Sequence, residues 1–161
     1  MQQATKEVNA TRAPIAGFLI NPKRRSIKPY AYNGDWTTIA PALCCQWFEV
    51  VILNTENGGH HLLCDEEAKL GKQPEHFFAI NGFRGDVIAG RALVFGTDGD
   101  GETIKPNISL EQLQRNVTFL HLIKKVGDGP AAQYWFMRYS RENVGDIVEL
   151  KHLVVAEKLL P

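Results

Sequence analysis

The chain has 161 residues, 44% hydrophobic and 22% charged, which is the balance of a folded domain rather than a disordered segment. Its longest apolar runs, at 47–53 and 77–80, are strand-sized and well short of the ~20 residues a membrane-spanning helix needs; the polar start carries no apolar secretion signal. A net charge of zero conceals a split, with six bases against one acid in residues 1–30 and ten acids against four bases in residues 49–103.

Residues 1–14 are polar and aperiodic and end at Pro14, which predicts a flexible tail ahead of a single domain over 15–161. Next, "GFLIN", "PKRR" and "SIKPYAY" read as strand, turn and strand, with Pro29 pointing to an edge or a break. "NGDWTTIAPALCC" places Trp36, Ile39 and Leu43 at helical spacing behind an Asp35 N-cap, and Pro41 demands either a kink or a start near Thr38. "WFEVVIL" is β-branched and aromatic, and the turn "NTENGG" folds it back on "HHLLCDEE" as a hairpin.

"EHFFAI" and then "DVIAGRALVFG" add one or two further strands, with Gly90 marking a bulge or a close backbone approach. "ISLEQLQRNVTFL" reads as the clearest helix. Ser109 and Gln112 have capping-box spacing, and Leu110, Leu113, Val117 and Leu120 make one apolar stripe. "QYWFMRYS" and "DIVELKHLVVA" are two more strand-like runs. Six to eight strands with two main helices, lacking βαβ alternation, predict an α+β fold built on a mostly antiparallel sheet.

Chemical motifs are few. "VFGTDGDGET" puts Asp98, Asp100 and Glu102 at positions 1, 3 and 5 of a calcium loop. Position 6 is Thr103 instead of glycine, and position 12 is Ser109 instead of a bidentate acid. The stretch also lacks the Gly-Lys-Ser/Thr ending of a phosphate loop. Two Asp-Gly pairs after a strand are turn chemistry, so a turn is expected. His60, His61, Cys64 and His76 are zinc-type ligands, but neighbours on a strand face opposite ways, which leaves one histidine to join Cys64. No metal is expected.

Cys44, Cys45 and Cys64 are an odd set with two adjacent, better suited to a core in a reducing cytoplasm than to disulfides. No hydrolase, kinase or zinc-protease signature is present, so no catalytic residue or cofactor is assigned and an enzyme is not the expectation. The basic run Lys23, Arg24, Arg25, Lys28 lacks interleaved aromatics and reads as a solvated turn, not as a nucleic-acid surface.

The order of segments "YNGDWTTIAPALCCQWFEVV", "LLCDEEAKL", "DVIAGRALVFG" and "ISLEQLQRNVTFL" resembles the bacterial and phage family known as domain of unknown function 3846. The resemblance lies in four places: a helix leading to a "FEVV" strand, the acidic turn from Cys64 to Leu70, the "D-x-I-x-G" strand from Asp86 to Gly90, and the helix from Ser109. The chain departs from the pattern at Ala68, where a turn glycine is usual, and at Gly71, where asparagine is common. The family-like core covers 17–120, with 121–161 as a C-terminal strand extension. The resemblance implies a small cytoplasmic protein of phages, plasmids and their hosts, with no catalytic residues to carry over.

Two functional readings follow. One is a non-enzymatic accessory protein that binds a host protein, its acidic surface at Asp65–Glu67 and Asp98–Glu102 suiting a basic partner. The alternative is a small-ligand or nucleotide-binding module at Asn81, Gly82, Arg84, Gly85, Asp86 and Gly90, where glycines admit a ligand and Arg84 pairs with phosphate. Polar loops on a rigid sheet concentrate binding residues. The expected surface therefore joins the Asp65–Lys69 turn to the Asn81–Gly90 approach, with Asp65, Glu66, Lys69, Arg84 and Asp86 facing one solvent edge.

Overall fold

The structure, a computed structural model, describes residues 12–55, 58–70, 74–81, 87–128, 132–139 and 147–149. Strands β1 (Ile15–Asn21) and β2 (Ser26–Tyr32) form the first hairpin, closed by the Arg25 N–H donating to the Pro22 carbonyl at 3.2 Å. A 3-10 turn at Trp36–Thr38, capped by the Asp35 side chain, leads into the five-residue helix α1 (Ile39–Leu43). Pro41 is tolerated because it lies in the first turn, where its missing N–H has no intrahelical partner to lose.

Strands β3 (Phe48–Thr55) and β4 (Gly58–Asp65) pair in register as a hairpin. Then come β5 (His76–Ile80), β6 (Ile88–Ala89), β7 (Ala92–Thr97) and β8 (Thr103–Ile104). Helix α2 (Leu110–Asn116) precedes β9 (Val117–Val126), β10 (Gln133–Tyr139) and the short β11 (Ile147–Glu149). All pairings are antiparallel.

The α+β class and the antiparallel pairing agree with the sequence reading; the number of strands, eleven among the described residues against the six to eight expected, and the number of sheets do not. The described strands form two sheets, one ordered β2-β1-β7-β4-β3 with β8 beside β7, the other β11-β10-β9-β5-β6. The division falls inside "DVIAGRALVFG": β6 belongs to the second sheet and β7 to the first. Gly90, at φ +76°, makes the crossing, and its N–H donates to the His76 carbonyl at 3.1 Å. Glycine reaches that positive φ without the Cβ penalty other residues incur.

The second correction concerns α2. Its capping box is present, with Gln112 N–H to Ser109 Oγ at 3.1 Å and Ser109 N–H to Gln112 Oε1 at 2.8 Å. The helix nevertheless ends at Asn116, and Val117 and Leu120 belong to β9, where they point to opposite faces. Val117, Thr118 and Phe119 are β-branched or aromatic and gain a full ladder against β5, which overrides the helical spacing.

Strand periodicity then sorts the core into three layers. Ile20, Leu62, Cys64, Ala92 and Val94 of the first sheet meet Phe78, Ile80, Ile88 and Val117 of the second, with Leu113 of α2 among them. On the outer face of the first sheet, Leu63, Leu93 and Phe95 pack beneath Ile39 and Leu43 of α1. On the outer face of the second, Phe77, Leu120, Tyr134 and Phe136 pack with Val87 and Ala132. Among the described residues no helix is long and apolar enough to cross a membrane. The tail expected over 1–14 falls, for residues 1–11, outside the described residues, as does the last strand-like run, 146–156, except for 147–149.

Candidate functional site

Three of the five residues expected to bind sit together after β4. Asp65 ends the strand, and its Oδ1 accepts the Glu67 N–H at 2.9 Å, which folds the chain into a tight turn. The Glu66 N–H donates to the Trp47 carbonyl at 3.2 Å, tying that turn to the start of the hairpin. Glu66 and Glu67 are exposed and Lys69 is half-buried. Arg84 and Asp86 lie outside the described residues, but Gly90, at the end of their segment, shares a cleft with Asp65.

That cleft, of about 620 Å3, opens at one end of the two-sheet stack. Asp65 and four further stretches build it. Lys23 and Arg24 come from the β1–β2 turn, Cys44 from the end of α1, Glu75 and His76 from the start of β5, and Arg91 from the link between β6 and β7. The turn is held by the Arg24 N–H donating to Asn21 Oδ1 at 3.2 Å. Arg91 is half-buried and its Nη1 donates to the Ala42 carbonyl at 3.3 Å, satisfying a helix-end acceptor while holding the guanidinium in place.

Two of the three cysteines are poorly placed for nucleophilic attack. Cys64 is in the inter-sheet core, its Sγ 3.8 Å from Glu49 Oε1. Burial first, then the negative charge of Asp65 and the neighbouring Cys44, pushes the Cys45 thiol up to about 11, so the thiolate that attack requires is scarce at neutral pH.

A second surface is apolar. Trp36 is stacked on Phe48 with ring centroids 5.7 Å apart and planes within 6°. Along β3, Val50 and Ile52 stand out from the outer face, 44% and 64% exposed, while Val51 and Leu53 point into the core. Trp36, Val50, His61 and Thr103 surround a shallow hollow of about 20 Å3. Among the described residues β3 pairs with β4 alone, so its other edge is open.

The "GTDGDGET" stretch is the β7–β8 turn. Asp98 Oδ1 accepts the N–H groups of Asp100 and Glu102, both at 2.9 Å, which spends this carboxylate oxygen on the backbone. Thr103, the residue after Glu102, lines the apolar hollow. Sequence reasoning passed over the cationic wall: Lys23 and Arg24 read as a solvated turn, and nothing local marks Arg91. It also passed over the outer face of β3, where both alternating sets are apolar and neither declares itself exposed.

Two histidines give the fold a pH dependence. Burial holds the His60 imidazole below its ordinary value of 6.5, opposed by a backbone hydrogen bond at Gly58. Burial likewise leads at His76, joined by His121 and, more weakly, by Lys23 and Arg25, with Glu75 opposing. Both native values lie below the unfolded one, so the unfolded chain takes up protons first as pH falls. Stability is full above about pH 6.5 and declines as pH drops through the native values. Thermal midpoints measured between pH 7.5 and 5 are expected to fall, and His76→Gln to flatten the slope; a constant midpoint would count against this origin. Set against known proteins, the chain matches no family model, no curated protein and no solved structure.

Proposed function

We propose that this chain is a protein-binding module whose outer β3 surface receives an extended, basic segment of a host protein. The observation that carries the reading is the row Trp36, Phe48, Val50 and Ile52 beside a strand edge that is unpaired among the described residues. Soluble proteins usually blunt such edges with lysine, proline or a bulge. β3 has one charged residue, Glu49, and no proline, and it pairs with β4 without a register shift. The opposite edge, β2, carries both Lys28 and Pro29.

Charge selects the partner. Beside the apolar row, Asp35 caps the Trp36 turn, and Thr103, which follows Glu102 of the acidic β7–β8 turn, lines the same hollow as Val50. A strand that alternates apolar residues with lysine or arginine adds main-chain hydrogen bonds to β3, lays its apolar side on Val50 and Ile52, and meets the acids with its bases. The sequence resemblance to domain of unknown function 3846 supports reading such a module as an accessory protein of a phage or mobile element that acts in the cytoplasm on a host partner.

The test uses a defined ligand. A labelled eight-residue alternating Lys-Val peptide is titrated against the protein, with Trp fluorescence as readout and an alternating Glu-Val peptide as control. Binding of the basic peptide alone, lost on Ile52→Lys and weakened severalfold by joint Asp98→Asn, Asp100→Asn and Glu102→Gln, is expected. Equal binding of both peptides would overturn the reading. So would sedimentation as a dimer that Ile52→Lys dissociates, since the occupant would then be a second copy.

A further inference from the structure

We infer that the cleft at the end of the two sheets is a binding site for a phosphorylated small molecule of nucleotide size, held at its phosphate by Lys23, Arg24 and Arg91. The site is separate from the β3 surface, and the inference does not depend on the protein-binding reading. Volume sets the ligand's scale. About 620 Å3 falls within the ~300–1,000 Å3 of small-molecule sites, whereas the hollow beside Trp36, at about 20 Å3, holds no such ligand.

Charge sets its chemistry. Lys23 and Arg24 project from a turn fixed at both ends, by the Arg24 N–H on Asn21 and the Arg25 N–H on Pro22, and Arg25 completes it in the left-handed region at φ 50°. A flexible basic loop would lose entropy on closing over an anion; a turn already hydrogen-bonded loses less. Arg91 reaches the same space from the β6–β7 link and is anchored by the Ala42 carbonyl, so its position does not depend on the turn. Among the described residues none of the three cations forms an ion pair. Three unneutralised cations around one cavity favour a group with several acceptor oxygens and more than one negative charge, and phosphate is that group.

The remaining polar lining refines the class. Asp65 and Glu75 share the cleft and, as carboxylates, only accept hydrogen bonds. Against an inorganic anion they are repulsive; against sugar hydroxyls or an amino group they are partners. A ligand with phosphate at one end and donors at the other satisfies both halves of the lining, as a nucleoside monophosphate or a sugar phosphate does. His76, kept neutral by its buried and cationic surroundings, lies between these groups in kind, able to donate or accept.

The experiment is isothermal titration of the full chain at pH 7.5 and low salt with four compounds: adenosine monophosphate, ribose 5-phosphate, adenosine and inorganic phosphate. The expected order has the two organic phosphates at least tenfold tighter than either adenosine or inorganic phosphate. Preference between those two tells whether a base or only a sugar is read. Arg91→Glu is expected to weaken the organic phosphates at least tenfold. Because that change also removes the Ala42 contact, Lys23→Glu with Arg24→Glu on the exposed turn serves as the second variant, with the same loss expected and an unchanged thermal midpoint. Joint Asp65→Asn and Glu75→Gln should erase the advantage of the organic phosphates over inorganic phosphate. No binding by any of the four compounds at millimolar concentration would overturn the inference. Binding that both cation variants leave intact would do so as well, and so would inorganic phosphate binding as tightly as the nucleotide.

Discussion

Replacing Phe78 with alanine is expected to lower the unfolding free energy by about 3–5 kcal/mol, the largest loss from any single side chain in the inter-sheet layer. Phe78 is fully buried at the middle of β5, paired on one side with Phe119 of β9 and on the other with Ile88 of β6. Its ring reaches into the layer where Ile20, Leu62 and Val94 of the opposite sheet meet the second sheet. The walls of the resulting cavity are strands hydrogen-bonded on both sides, so they cannot collapse inward without breaking ladders, and the penalty falls at the upper end of the usual range. Against a typical total of about 5–15 kcal/mol, such a loss leaves the fold marginal. Denaturant unfolding would show the midpoint falling with an unchanged slope. A loss under 1 kcal/mol would mean that the two sheets do not depend on this layer.

What could be read from the sequence was what is local. The β1–β2 and β3–β4 hairpins are announced by turn residues between apolar runs, and the Ser109–Gln112 box marks the start of α2 through two hydrogen bonds three residues apart. The division into two sheets was not legible, because Val87–Thr97 is apolar nearly throughout and either sheet offers it a buried place; only Gly90 marks the crossing. The end of α2 was hidden for a related reason. Leu113, Val117 and Leu120 have helical spacing, yet the latter two serve opposite faces of a strand. At the cleft, Asp65 was legible as a polar strand end beside a turn. Its companions come from four stretches between 21 and 91 that only the sheet topology brings together, and no local pattern encodes such a meeting.

The second large effect is expected at Gly17. This residue lies in β1, opposite Tyr30 of β2 and beneath the ring of Phe95 from β7. A Cβ there would overlap Phe95 Cε1, approach Cδ1 to 2.6 Å and the Val94 carbonyl oxygen to 2.8 Å. The ring has little freedom to withdraw, being 1% exposed and flanked by Tyr32 and Tyr30 at centroid distances of 5.5 and 6.3 Å. The carbonyl belongs to the strand ladder and has less. Gly17→Val is therefore expected to cost about 2–3 kcal/mol, the upper part of the overpacking range, despite the better strand propensity of valine. The cause is separable by a double-mutant cycle with Phe95→Leu, which vacates part of the ring's space. If Cβ and ring compete for one volume, the double variant should be more stable than the sum of the two losses predicts, by about 1 kcal/mol or more. Recovery stays partial, because the Val94 carbonyl remains in place. Losses that add to within about 0.5 kcal/mol would show that the ring is not what glycine makes room for.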